Sequence, residues 1–182
     1  MTEQKYVVSA RILHWLMAIG FLTMWSTGYT MTQDRFDDTP VQDFLFSFHI
    51  STGVTLIALL ALRIAVRLTN KPPALPEGLG SWEKMGSHLG HAGLYLLPLL
   101  VMIMGWAEVD LGGHGVRWFG IAMPKIFPTM EFLAGINLEE ATEVAHASLA
   151  WLMLALVTVH VAAVLKHKYS DGHDVLHRMS LR

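Results

Sequence analysis

Residues 144–165 read VAHASLAWLMLALVTVHVAAVL, a run without a single Asp, Glu, Lys or Arg. A helix rising 1.5 Å per residue needs about 20 residues to cross the ~30 Å hydrocarbon core of a bilayer. The run is therefore read as a membrane-spanning helix. It carries His146 and His160. An ionisable side chain at membrane depth is costly and points to function. The two histidines are fourteen residues apart, just under four turns. Their rings leave the helix about 40° apart in direction and about 21 Å apart along the axis.

The rest of the chain follows the same pattern. Of its 182 residues, 53% are hydrophobic and 15% charged, with mean hydropathy +0.41. A soluble domain carries about 25% charged residues. Three further apolar spans lie at about 12–31, 44–66 and 89–107. They are too long for barrel strands, and lipid does not satisfy an open sheet, so they are helices. The expected fold is an all-α integral membrane four-helix bundle, one domain over residues 1–182. The first span carries His14 and is followed by no Ala-x-Ala site, so it is not read as a cleaved signal peptide. Cysteine is absent. That excludes disulfides and the Cys-x-x-Cys-His attachment of a covalent haem.

Lys and Arg set the expected orientation. Lys5, Arg11, Arg63, Arg67, Lys71, Lys84, Lys166, Lys168, Arg178 and Arg182 fall on one side; Arg35, Arg117 and Lys125 fall on the other. The richer side is assigned to the cytoplasm, with both termini there. Carboxylates divide the opposite way: five inside (Glu3, Glu77, Glu83, Asp171, Asp174) and ten outside. The formal charges are +5 inside and −7 outside, a polarity hidden by the overall −2. The expected surroundings are a lipid bilayer and no nucleic acid. Prolines in Lys71–Gly78 favour an extended inner loop. The outer stretch Trp118-Phe119-Gly120-Ile121-Ala122-Met123-Pro124 is too short to span and is expected to lie in the interface, and Trp15, Trp82, Trp106 and Trp118 mark the boundaries.

Depth then pairs the histidines. His14, just past Arg11, and His160, two turns before Lys166, are near the inner surface. His49, two turns after Asp43, and His146, just past Glu143, are near the outer surface. Two neutral imidazoles on opposite faces of a macrocycle make a low-spin haem b with no open position on iron. The expected cofactors are two such haems, His14 and His160 holding the inner iron and His49 and His146 the outer. Gly53, one turn past His49, and Gly28, fourteen residues past His14, would leave room for a porphyrin; helix packing is the alternative. For the histidines the alternatives are polar glue between helices, a titratable pathway, or zinc, which prefers four ligands at one point.

These residues resemble the bacterial cytochrome b561 family, which is also similar to the cytochrome b subunits of nickel-iron hydrogenases. The resemblance covers essentially the whole chain. It rests on Leu13-His14-Trp15, Phe48-His49-Ile50-Ser51-Thr52-Gly53, Gly86-Ser87-His88-Leu89-Gly90-His91-Ala92-Gly93-Leu94-Tyr95 and the spacing of His146 and His160. Softer matches are Trp118-Phe119-Gly120 with Met123-Pro124, and the tail from Lys166-His167-Lys168-Tyr169 to Arg178-Met179. The resemblance implies electron transfer between the periplasmic face and the quinone pool, ubiquinone or another quinone, in the bacterial inner membrane. One branch of the family oxidises superoxide and reduces ubiquinone. Superoxide is an anion, and the −7 outer face opposes its capture unless Arg35, Arg117 or Lys125 forms a local positive mouth. A basic periplasmic redox protein suits that face equally. A non-enzymatic haem-bearing anchor or electron conduit for a partner redox protein is the alternative.

Other residues complete the expectation. His88 and His91 share a helix face at the inner end of the third span, where an imidazole can donate to a quinone carbonyl and carry protons. The alternative is a propionate contact or water. Arg63 and Arg67 share a face of the second span and suit carboxylates such as propionates; plain positive-inside anchoring is the alternative. Met17, Met24 and Met31 are read as a packing stripe. His114, His173 and His177 are read as solvated, with His167 reaching the inner site.

Overall fold

A computed structural model describes residues 4–76 and 78–182. Glu3 and Glu77, counted above among the inner carboxylates, lie outside the described residues. Four helices dominate: α1 Val8–Met31, α2 Pro40–Thr69, α3 Ser81–Leu111 and α4 Leu138–Tyr169. All four are long and apolar enough to cross a membrane. Most of their ends run past the apolar spans, because polar caps extend the helices into water. The Thr39 side chain accepts from Gln42 N–H at 3.3 Å ahead of Pro40. The Asn137 side chain accepts from Glu140 N–H at 3.1 Å. Glu83 turns back to accept from Gly80 N–H at 3.0 Å. Each satisfies an amide that the first helical turn leaves without a partner.

α1 packs chiefly on α2 and α3 chiefly on α4, while α2 and α3 touch sparsely. Met17, Leu56, Leu60 and Met102 form the buried core, with Phe21, Met24 and Tyr95 against it. Two of the three striped methionines are thus packing residues. Gly20 brings α1 close to α2: a Cβ there would stand 2.7 Å from Leu56 Cδ2. The outward faces are apolar, as with Ile19 and Leu62, which suits lipid. Between the two helix pairs runs a cavity of about 1690 Å³.

The two ends of the bundle differ in charge and construction. At the acidic end, the connection from α3 to α4 folds into two small hairpins. β1 Arg117–Trp118 pairs with β2 Ile121–Ala122, and β3 Phe132–Leu133 with β4 Ile136–Asn137. Phe119-Gly120 and Ala134-Gly135 turn them with positive φ at both central positions, the backbone of a type I′ turn. The first hairpin, part of the stretch expected in the interface, packs against α2 through hydrogen bonds. Phe119 N–H donates to Ser51 Oγ at 2.9 Å and Trp118 Nε1 to Thr55 Oγ1 at 3.1 Å. Ser51 lies seven residues into the apolar run from Phe44, about 10 Å along the axis. The hairpin reaches that depth because Ser51 and Thr55 give its backbone and indole polar partners there.

Asp110, counted as an outer surface charge, is fully buried instead. One of its oxygens accepts from Trp106 Nε1 at 3.1 Å and from the backbone N–H of Ile126 and Phe127 at 2.8 and 3.1 Å. Three donors make burial of the carboxylate tolerable and pin the long connection to the end of α3.

At the basic end, the tail crosses back to α1. Arg11 donates to Ser180 C=O at 2.6 Å, Trp15 Nε1 to Met179 C=O at 2.8 Å and Tyr6 N–H to Arg178 C=O at 3.2 Å. Arg178 donates to Ala74 C=O at 2.6 Å in the proline-rich loop, whose described residues have no helix or strand. The start of α1 and residues 178–180 therefore sit at the same end of the bundle.

Candidate cofactor site

The cavity is bordered by all four sequence-paired histidines. His14 of α1 faces His160 of α4 with ring centroids 6.5 Å apart. His49 of α2 faces His146 of α4 at 6.2 Å. Both pairs cross from one helix pair to the other. An imidazole–metal bond of about 2 Å, with each ring centre about 1.1 Å behind its nitrogen, puts two axial ring centres about 6 Å apart. Both separations match that value. The cavity exceeds the roughly 300–1,000 Å³ of ordinary small-molecule sites, so a macrocycle is not excluded by volume.

Hydrogen bonds fix the rings of the acidic-end pair. His146 Nδ1 donates to Val101 C=O at 2.8 Å. His49 Nδ1 lies 2.9 Å from Thr27 Oγ1, whose own hydrogen goes to Thr23 C=O, so the ring donates to the hydroxyl. Nδ1 holds the proton in both rings and Nε2 offers its lone pair. His49 Nε2 is buried and has no hydrogen-bond partner. Such an orphaned acceptor fits a ligand atom; histidines that hold metals are characteristically fixed through their second nitrogen in this way.

Glycines back these rings. A Cβ on Gly28 would lie 3.2 Å from His49 Cε1, and one on Gly105 would lie 2.9 Å from His146 Cε1 and Nδ1. Gly28 was expected near the outer pair. Gly105 was missed; its position, four residues after Val101 on α3, gives a one-turn stagger that only a known partner helix makes meaningful. Gly53 lines the cavity too, with Met24 as its nearest neighbour.

The basic-end pair is surrounded differently. Arg63 Nη2 lies 3.3 Å from His14 Nδ1 and Nη1 donates to Ala10 C=O at 3.3 Å, with the guanidinium 5.6 Å from the Tyr95 ring centre. His91 of α3 stands 5.8 Å from His160, and its Nδ1 lies 3.4 Å from Ser87 Oγ. His91, Arg63 and Arg67 line the cavity; His88 is exposed and does not. One of the two adjacent histidines is thus brought to the site.

Lys166 joins Glu83 at 2.6 Å and Asp171 at 2.9 Å, and His167 Nδ1 lies 2.7 Å from Asp171. Lys166 first, then His167, hold the Asp171 carboxyl below the usual aspartate range. Ligand atoms of Glu83, His167 and Asp171 lie within 4.8 Å of one another, but Lys166 already supplies their countercharge. This is an ion-pair network at the cavity rim. His167 lines the cavity, as expected. His114, read from sequence as solvated, is exposed at the cavity rim, 3.4 Å from Glu139.

Residues 5–180 match the family of prokaryotic cytochrome b561. The chain is 28% identical over 179 residues to a protein named cytochrome b561 homolog 2 from Escherichia coli (strain K12), covering 98% of this chain and 92% of that one. It is 26% identical over 178 residues to a protein named probable superoxide oxidase CybB from Yersinia pestis, covering 97% and 96%.

Proposed function

The chain belongs to the prokaryotic cytochrome b561 family, and we propose that it carries two haem b groups and passes electrons between the periplasmic face of the bacterial inner membrane and a quinone. Membership makes it a multi-pass membrane haem b electron-transfer protein. In the proposed arrangement His14 and His160 would hold one haem at the basic end and His49 and His146 the other at the acidic end. The observation that carries this is the pair of ring separations, 6.5 and 6.2 Å, each bridging the same cavity. Bound between two imidazoles, haem supplies one-electron transfer with no open position on iron. The residues do the rest. Thr27 and the Val101 carbonyl orient the acidic-end rings. Arg63 and Arg67 offer guanidinium forks for propionates. His91 offers an imidazole to a quinone carbonyl and a route for its proton. The positive-inside bias supports a cytoplasmic basic end.

The test is haem quantification and a reduced-minus-oxidised spectrum on the purified protein, followed by addition of ubiquinol and ubiquinone. Two low-spin haems per chain whose oxidation state follows the quinone support the reading. Two haems indifferent to quinone favour a conduit that serves a partner redox protein.

The donor at the acidic end is superoxide or a basic periplasmic protein. Asp43, Glu108, Glu139 and Glu143 line the cavity there, which favours the protein. Its on-rate should fall as salt rises, since screening acts over about 8–10 Å. Superoxide needs Arg35, Arg117 or Lys125, so neutralising all three should slow it.

A further inference from the structure

The cavity is electrically polar from end to end. Its acidic end is lined by Asp43, Glu108, Glu139 and Glu143 with His114, and by no Lys or Arg among the described residues. The cations of that end point elsewhere: Arg35 stacks on Phe36, Arg117 donates to Gly120 C=O and Lys125 to Thr129. The other end is lined by Arg63, Arg67, Lys71, Lys166 and Arg178 against Glu83 alone. These charges stand close to the ring pairs. Gly105 backs the His146 ring. Glu108 follows Gly105 by three residues and Glu143 precedes His146 by three, so both carboxylates start about 5 Å beyond the rings along their helices. Arg63 is in direct contact with His14, at 3.3 Å.

We propose that this polarity sets the two haem sites at unequal potentials, high at His14–His160 and low at His49–His146, with Arg63 and the Glu108–Glu143 pair as the residues that set the difference. The proposal rests on the two-haem reading above. An electron added to either site adds one negative charge. A guanidinium against the ring stabilises that charge, and carboxylates lining the cavity about one turn beyond the rings oppose it. Both effects persist because low-dielectric surroundings screen them weakly. An electron delivered at the acidic end therefore runs downhill to the basic end, whatever partner waits at either side. Arg63, Glu108 and Glu143 are positioning residues, read out by potential.

The experiment is a redox titration of the purified protein followed at the haem absorption bands, after haem has been counted. Wild type should titrate as two components. Arg63→Gln should lower the upper component and leave the lower one. The double variant Glu108→Gln/Glu143→Gln should raise the lower component and leave the upper. Each should move the electron-sharing equilibrium between the sites about tenfold toward evenness. Arg63→Lys, which keeps the charge, should preserve most of the separation. His146→Ala, with only the basic-end site complete, should retain the upper component. Fewer than two haems in wild type overturns the haem reading and this proposal with it. Two low-spin haems that titrate together, a retained lower component in His146→Ala, or glutamine variants that leave the separation unchanged overturn the polarity alone. If Arg63→Gln sheds a haem, the double glutamine variant decides.

Discussion

The two histidine pairs have nearly the same ring spacing and very different company. At the acidic end both rings are held through Nδ1, by the Thr27 hydroxyl and the Val101 carbonyl, with glycines behind them and carboxylates lining the cavity beyond. At the basic end His14 meets a guanidinium and His160 has a third imidazole beside it. The contrast separates two demands. Ring spacing of this kind is what holding a metal would require, and it recurs at both ends. Mobile protons and positive charge are what exchange with a quinone requires, and they gather at one end only.

The largest expected effects test the common part. His146→Ala and His160→Ala should each halve the haem content, from the acidic and basic ends respectively. Two low-spin haems retained in either variant would sink the pairing. Gly105→Ala comes next: its Cβ would stand 2.9 Å from the His146 ring, whereas one on Gly90 would meet nothing within 4 Å. Overpacking of this kind costs about 1–3 kcal/mol. Haem loss should follow at position 105 and not at 90; equal retention would show that the ring gives way easily.

The unlike parts are tested by smaller effects. His91→Ala should keep both haems yet slow quinone-linked haem oxidation about tenfold or more, measured by stopped-flow absorbance. An unchanged rate would remove the basic end's claim to exchange. Asp110→Ala strips the partner from three buried donors and should cost about 1–3 kcal/mol. Limited proteolysis should then open the 112–137 connection while the basic-end haem keeps its spectrum. Smallest of all is Asp171→Asn. The carboxyl is depressed in the folded protein, so its contribution is complete above the ordinary aspartate pKa and disappears as pH falls below it. The group is exposed, so the difference in thermal unfolding should be slight at about pH 7 and vanish toward about pH 3.

Much of this was legible in the chain. Apolar run length and the fourteen-residue spacing are local patterns, and the membrane removes every alternative to a helix, so four spans and two depth-matched pairs follow from residues 12–165 alone. What escaped depends on contacts between distant segments. Ser51 meets Phe119 from 68 residues away, and a serine on an apolar helix gives no hint of that partner. Asp110 reads as one more loop carboxylate until Trp106, Ile126 and Phe127 are seen around it. The sorting of charges along the cavity is half visible: the inside–outside bias is in the sequence, but which carboxylates face inward and which cations turn away is decided by packing. His88 and His91 look equivalent at three residues apart; only the position of α4 distinguishes them.

The crossing of residues 178–180 onto Tyr6, Arg11 and Trp15 bears on how the protein is made. Residue 178 follows all four helices in the chain, so this tie forms only once every helix has been made. It joins the segment after α4 to the start of α1 and so closes into a ring a bundle whose α2 and α3 touch only sparsely. Closure of the ring is thus a late step of assembly, and cutting the chain between Tyr169 and Arg178 should let the two helix pairs part at the basic end first.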